Sequence, residues 1–405
     1  MNHSENVDHD AVLRARTMLL GSEQLSVVQL VEAYRVLAKV SPAAYLPKLA
    51  GALTSYGYEV QRVGRAPGAG LALCMEAVEA ARRIDAAEPN RAKVLGDTLG
   101  SYERALFGAG RRAEGRAVCE EAAAMGRTRR LANVLAEEGR HGEAAELHGR
   151  SARAGSEVSF SSTVPWAAEL AAAGRHEEAV AAFTELADAT RRRAEDGRGP
   201  LAHLVWDLVH RARMLDAVGR REEAGDDRRE ALLVLTRLSE SGEPKQSGGP
   251  SWWATLFVLA SRAEESAASP EAPMPPFGAD LVQWSHDTRD AYLAGIPALA
   301  AETARLTEAG RLLEASAAHR RLTARTAVGV EHRPFLFRDR LRPLFDEGVA
   351  LARRFTAHPG TLSRALADRS MFLVRDGRYE DAGTDLAEAV ALLDGPTSPP
   401  IVTRT

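Results

Sequence analysis

The chain has 405 residues, a formal net charge of −4 and only 5% aromatic side chains. This balance gives no overall positive field, which disfavours a role in binding DNA or RNA. The two cysteines, Cys74 and Cys119, are too few for a disulfide framework, and we interpret them as small buried side chains. No apolar run approaches the roughly 20 residues of a membrane span. Because Met1–Asp10 also does not look like a secretory signal, we expect a cytoplasmic protein.

The N-terminal region predicts a short disordered start and then two amphipathic helices, Asp10–Leu20 and Leu25–Val40. We interpret residues 1–40 as capping helices, because the terminal members of a stacked helical array are often atypical. Ser41–Pro42 opens the first clear helix pair, and Pro165 is expected to open a later one. Residues 41–240 are interpreted as an N-terminal array of such pairs.

A Gly–Arg dipeptide flanked by one fixed pattern of residues recurs seven times, each time between the end of one predicted helix and the start of the next. The residue four positions before each glycine is a branched aliphatic one, and the residue five positions after it is alanine or glycine. Glycine suits the left-handed conformation just past a helix end, and a small residue lets the second helix pack closely on the first. The glycines are Gly64, Gly110, Gly139, Gly174, Gly219, Gly310 and Gly377. A helix–turn–helix unit that recurs in this way predicts a solenoid.

The wide spacing between Gly219 and Gly310 predicts one more helix pair that lacks the Gly–Arg dipeptide. We expect its helices at Trp252–Glu265 and Asp280–Leu293, separated by the proline-rich Ser269–Gly278, which cannot be helical.

Residues 241–395 are interpreted as a C-terminal array of degenerate repeats, with one degenerate member in Arg333–Phe355, and residues 396–405 as a disordered tail. Ser239–Pro250 is rich in glycine and serine. It is either a linker between two lobes or a loop on one continuous array.

The repeated pattern resembles the tetratricopeptide repeat (TPR) family, of the actinobacterial type, over roughly Ser41–Gly395. The resemblance implies an all-α fold, an α-solenoid of stacked antiparallel helix pairs that forms a right-handed superhelix. It also implies a concave face, lined by the first helix of each pair, which binds extended peptides or a helix of a partner. We therefore expect a protein- or peptide-binding scaffold or adaptor that is not an enzyme and needs no cofactor.

Candidate partner-binding residues follow from the positions that face the ligand in this family, counted back from each glycine. Because arginine binds carboxylates bidentately and Arg, Tyr and Trp are favoured at binding hot spots, we expect an acidic segment or a C-terminal carboxylate as the partner. The candidates are Ser55, Tyr58, Arg62, Ser101, Arg104, Arg130, Asn133, Trp206, His210 and Arg213. Nucleic acids and membranes are not expected partners, and the oligomeric state stays undetermined.

The sequence contains no phosphate-binding glycine loop, His-Glu-x-x-His, Cys-x-x-Cys or Gly-x-Ser-x-Gly motif. Their spacing places His203, Asp207 and His210 on one helix face. These residues are either part of a metal site or polar side chains on an exposed face of the helix. They are the only residues that support a less favoured alternative, an enzyme on a helical-repeat scaffold. Another alternative is a regulatory protein that responds to a peptide or ligand.

Overall fold

The computed structural model describes residues 8–21, 24–63, 67–244, 251–331, 333–354 and 358–394. Within these ranges the regular structure is entirely helical, without a β-strand, which confirms the all-α prediction. No helix in the same ranges combines the length and the apolar character needed to cross a membrane. The predicted disordered start, the tail and residues 245–250 of the predicted linker lie outside the described ranges.

The chain divides into two compact units. Unit 1 comprises Met1–Leu131 and Ser285–Asp287, and unit 2 comprises Ala132–Trp284 and Thr288–Thr405. The helices of unit 1 are α1 (His9–Leu20), α2 (Val27–Val40), α3 (Pro42–Val63), α4 (Pro67–Arg82), α5 (Arg91–Gly108) and α6 (Arg112–Ala124). Apart from the first residues of α7 and α14, unit 2 contains α7 (Arg129–Glu137), α8 (His141–Ala154), α9 (Phe160–Ala172), α10 (His176–Glu195), α11 (Leu201–Ala217), α12 (Arg221–Ser241), α13 (Ser251–Ala260), α14 (His286–Ala294), α15 (Ile296–Glu308), α16 (Leu312–Val330), α17 (Pro334–Arg353), α18 (Pro359–Arg375) and α19 (Tyr379–Asp394).

The Gly–Arg elbows share one backbone geometry, here illustrated by Gly174. This glycine has a φ of +79°, which only glycine adopts easily. The Arg175 N–H donates to the Leu170 carbonyl oxygen at 2.9 Å, and the Gly174 N–H donates to that of Ala171 at 3.1 Å. Such a pair of bonds forms the Schellman motif that ends many helices. The same pattern and a positive φ recur at Gly110, Gly139, Gly219, Gly310 and Gly377.

The side chains around each elbow are buried as the spacing predicts. Leu170, four residues before Gly174, and Ala179, five residues after it, are both fully buried. The equivalent leucines and small residues of the other five described elbows are buried too. These six elbows confirm the predicted turn, whereas Gly64 lies outside the described residues.

Unit 1 is built from helices that pack against their neighbours in chain order. Each of the helices α1 to α5 packs against the helix that follows it in the chain. In addition, α3 contacts α5 directly. Helix α2 begins at a capping box in which Ser26 and Gln29 exchange hydrogen bonds. Leu53 of α3 and Leu99 and Leu106 of α5 are fully buried in the core. The predicted N-terminal helices therefore exist at nearly the predicted bounds.

Unit 2 combines sequential packing with contacts between distant helices. Helices α8 to α12 pack in chain order, as do α15 to α19, but α12 also packs against α19. Helix α13 packs against α11, α16 and α18. Its Trp253 and Phe257 are buried against the rings of Phe345 and Phe372, at centroid distances of 5.2–6.1 Å. Helices from the two predicted arrays thus share one compact unit.

Three predicted segments need correction or refinement. The helix predicted at Asp280–Leu293 begins only at His286. The Asp280 side chain instead accepts a hydrogen bond from the Val282 N–H, which favours a short 3₁₀ turn. Helix α13 ends at Ala260, five residues earlier than predicted. The segment around Arg333–Phe355 is the single helix α17, and Ser269–Gly278 is non-helical as predicted.

Pro165 does not open its helix, because α9 begins five residues earlier, at Phe160. A proline at the sixth position of a helix removes only one hydrogen bond, to a carbonyl of the first turn, so the helix tolerates it.

Candidate functional site

Four of the predicted binding residues line one cleft in unit 1. The cleft has a volume of about 470 Å³. Because α3 and α5 contact each other, side chains on matching turns of the two helices can face the same space. The lining residues are Thr54, Ser55, Tyr58, Glu59, Gln61, Cys74, Ser101 and Arg104. The side chain of Arg62, a fifth predicted residue of this region, is not described.

The polar groups of the cleft are only partly used within the unit. The Arg104 Nη2 donates to Ser101 Oγ at 3.1 Å, and no carboxylate among the described residues pairs with this guanidinium. The Ser55 hydroxyl donates to the Gly51 carbonyl oxygen at 3.1 Å, which leaves its own oxygen free to accept. Tyr58 is 66% exposed. The cleft therefore offers an unpaired cation, an exposed aromatic ring and hydroxyl groups.

Cys74 is buried where it lines the cleft. The Gln61 Nε2 donates to its Sγ at 3.7 Å. Burial raises the pKa of the Cys74 thiol, although the nearby Arg104 charge opposes this. The thiol is therefore protonated and a poor nucleophile. Cys119 is likewise buried, and its Sγ donates to Glu103 Oε2 at 3.8 Å. Neither cysteine forms a disulfide, so the prediction that both are small buried side chains is confirmed.

Arg130 makes several contacts within unit 1. Its Nε donates to Glu103 Oε2 at 2.9 Å, and its Nη2 donates to Ser285 Oγ at 2.9 Å. The guanidinium also lies 5.1 Å from the centre of the Phe107 ring. In unit 2, Asn133 is buried, and neither polar atom of its side-chain amide has a hydrogen-bond partner among the described residues. Neither residue lines the unit 1 cleft.

The predicted residues of α11 lie inside unit 2. Trp206 is fully buried, and its indole Nε1 donates to the Met371 carbonyl oxygen on α18 at 3.0 Å. Arg213 Nη2 donates to Asp368 Oδ1, also on α18, at 2.6 Å. His210 is buried against the Phe183 ring, with ring centres 5.0 Å apart. Arg213 and His210 each line a cavity of unit 2, Trp206 is fully buried, and the role of all three in partner binding remains a prediction.

His203, Asp207 and His210 contact aromatic rings. His203 stacks on Trp252 at 3.8 Å, and the Trp252 Nε1 donates to Asp207 Oδ1 at 3.2 Å. Burial, together with nearby arginine charges, lowers the pKa of His203 to about 4 and that of His210 to about 3. Burial raises the pKa of Asp207 to about 7. Across the described residues, no group of three or more His, Cys, Asp or Glu side chains is arranged to hold a metal ion.

The sequence analysis did not predict the ion pair at each elbow. The elbow arginine forms a salt bridge with an acidic residue three positions later, as in Arg175 Nε to Glu178 Oε1 at 2.7 Å. The same pairing joins Arg111 to Glu114, Arg140 to Glu143, Arg220 to Glu223, Arg311 to Glu314 and Arg378 to Asp381. The recurring Gly-Arg-x-x-Glu/Asp pattern could have indicated these pairs. They are exposed and screened by water, so they support the turn rather than form a site.

A second feature that sequence analysis missed is a row of charged side chains in unit 2, which we call the ion-pair cluster: Arg213, Glu264, Arg320, Arg364 and Asp368. Asp368 accepts from Arg213 at 2.6 Å and from Arg320 at 2.7 Å. Glu264 Oε1 accepts from Arg320 and Arg364, each at 3.0 Å. Although burial opposes it, the two arginines hold the pKa of Asp368 below its usual range. Partners so far apart in the chain leave no local sequence signal.

Comparisons with known proteins give no family for this chain. No protein-family model matches it, and a search of curated proteins finds no match either. The cleft and the ion-pair cluster are therefore interpreted from their own chemistry.

Proposed function

We propose that this protein is a binding module, a scaffold or adaptor whose unit 1 cleft takes an acidic segment of a partner protein. One observation carries the proposal. Ser55, Tyr58, Ser101 and Arg104 were selected by their distance from the glycine elbows, and all four line the same open cleft.

The chemistry of the cleft fits a carboxylate on an extended peptide. A guanidinium carries five N–H donors, and Arg104 uses one of them for a hydrogen bond to Ser101, so a bidentate pair with a carboxylate remains possible. The exposed Tyr58 ring offers a large contact area at low entropic cost. Glu59 lines the cleft as well. Its negative charge disfavours a second carboxylate beside it, so we expect one acidic group per bound segment.

The proposal extends to the finer architecture and the location. The six described elbows with one geometry support a TPR-like α-solenoid, and we propose that its pairs follow a right-handed superhelix. A cytoplasmic location fits a chain in which the described helices include no membrane span. The proposed role is binding alone, and no reaction is assigned.

The test uses a random hexapeptide library with free C-terminal carboxylates, followed by fluorescence anisotropy with the retained peptides. We expect the wild-type protein to enrich peptides with Asp or Glu. Arg104→Gln should weaken their binding about 10- to 150-fold, since a hydrogen bond to a charged group contributes about 1.5–3 kcal/mol. Tyr58→Ala should weaken binding without removing the acidic preference.

The matched control is Arg83→Gln, because Arg83 is an exposed arginine of unit 1 that does not line the cleft. This variant should bind like the wild type. An absence of acidic enrichment in the wild type, or equal weakening in the Arg83 and Arg104 variants, would contradict the proposal.

A further inference from the structure

Unit 2 contains a cavity that is apolar on one side. Its volume is about 560 Å³, and it is bounded mainly by α11, α18 and α19. This size lies within the range of roughly 300–1,000 Å³ that is typical of small-molecule sites. Val209 on α11 and Leu386, Val390 and Leu393 on α19 contribute the apolar surface.

The ion-pair cluster contributes charged groups to the same cavity. Arg213, Glu264, Arg320 and Arg364 line the space, and Asp368 contacts Arg213 and Arg320. The cluster thus holds three guanidinium groups and two carboxylates. One positive charge is in excess, and a charge beside a cavity with low-dielectric walls acts more strongly than one in open water.

Arg364 is the most exposed of the three guanidinium groups of the cluster. Arg320 is already held by Asp368, by Glu264 and by the Ala260 carbonyl oxygen at 2.8 Å. Arg213 is paired with Asp368. Arg364 shares the Glu264 Oε1 atom with Arg320, and its side chain is 56% exposed. Its remaining N–H groups are free to bind another acceptor.

The second arginine–aspartate pair at this cavity adds no net charge. Arg228 forms a salt bridge with Asp216, and both residues line the space. The pair therefore leaves the excess of one positive charge in the ion-pair cluster unchanged.

We propose that this cavity binds a small amphiphilic carboxylate, with its carboxylate paired to Arg364 and its aliphatic body against Leu386, Val390 and Leu393. The carboxylate neutralises the excess charge, and the aliphatic body covers apolar surface that water otherwise contacts. This inference goes beyond the proposed function and does not depend on it, because all of its residues belong to unit 2.

The test is isothermal titration calorimetry of the full chain with sodium octanoate and with 1-octanol, which share one aliphatic chain and differ in charge. We expect octanoate to bind at least 10-fold more tightly than octanol. Shortening octanoate to hexanoate should weaken binding about fourfold for each methylene removed. Arg364→Gln should weaken octanoate binding at least 10-fold and leave octanol binding unchanged.

Arg353→Gln is the matched control. The Arg353 side chain is 52% exposed and forms one ion pair, with Glu388 at 2.8 Å, but it does not line the cavity. This variant should bind octanoate like the wild type, and thermal unfolding should show that both variants fold. The proposal is overturned if octanoate binds less than 10-fold more tightly than octanol. It is also overturned if the Arg364 and Arg353 variants bind octanoate with the same affinity.

Discussion

Replacement of an elbow glycine by alanine should measure the backbone cost of the repeated turn. Gly174 has a φ of +79°, and a Cβ atom built on it meets no atom within 4 Å. Gly174→Ala therefore adds no clash, and its cost is that of holding alanine in the left-handed region, about 1–2 kcal/mol. The lower entropy of the unfolded alanine chain offsets about 0.4–1 kcal/mol of this cost. We expect a net destabilisation of about 1 kcal/mol.

Substitutions at two further glycines of unit 2 separate the cost of the left-handed backbone from the effects of helix propensity and of steric clash. Gly383 lies inside α19, where a Cβ would make an ordinary 3.9 Å contact with Leu235 Cβ. Gly383→Ala should stabilise the protein by about 0.5–1 kcal/mol, the usual gain in a helix interior. Gly139 has a φ of +77°, and its added Cβ would lie only 2.3 Å from the Ala268 carbonyl oxygen. Gly139→Ala should therefore cost more than Gly174→Ala.

Urea unfolding followed by circular dichroism at 222 nm measures the three effects on one scale. From highest to lowest, the urea midpoints should follow the order Gly383→Ala, wild type, Gly174→Ala and Gly139→Ala. The dependence of the unfolding free energy on urea concentration should be similar in all four proteins. The reasoning is wrong if Gly174→Ala unfolds at or above the wild-type midpoint, or if Gly383→Ala is destabilised as much as the elbow variant.

Three other predictions concern buried positions of unit 2. Ala179→Leu should overpack a fully buried site and lower the free energy of unfolding by about 1–3 kcal/mol, and an unchanged urea midpoint would argue against close helix packing at the elbow. Asp368→Ala should cost about 3–5 kcal/mol, because two partly buried arginines lose the buried carboxylate that they share; a loss below 1 kcal/mol in urea unfolding would exclude this role. The pKa of Asp207 is raised to about 7 from an ordinary 3.8, so in the wild type the folded state is destabilised by this group as the pH rises from about 4 to 7. Asp207→Asn should gain stability relative to the wild type over that window, and a difference that does not change with pH would contradict the raised pKa.

The elbows and the helices around them were predictable because their interactions are local. The Schellman bond at Gly174 joins residues five positions apart, and Ala179 lies on α10, which packs against α9, the helix directly before it in the chain. Helical periodicity then places buried leucines without knowledge of distant partners. The two N-terminal helices and the non-helical Ser269–Gly278 were predictable for the same reason.

The unit 1 cleft was partly predictable as well. Tyr58 and Arg104 lie on two helices that pack side by side, so a fixed distance from successive elbows places them on one face. This reasoning fails where the repeat is interrupted. It also could not show that Arg104 has no carboxylate partner among the described residues while Arg130 pairs with Glu103, because both depend on rotamers and neighbours.

The sequence by itself determined the all-helical class, the repeated glycine elbow and four of the residues that line the unit 1 cleft. Only the tertiary structure decided what lies against α11 in unit 2. Trp206 donates a hydrogen bond to a residue 165 positions away, and Arg213 pairs with one 155 positions away. Helix α13 buries its aromatic side chains against α16 to α18, and α12 packs on α19. Such contacts depend on which surfaces meet after the chain has folded, and no local pattern of residues encodes that choice.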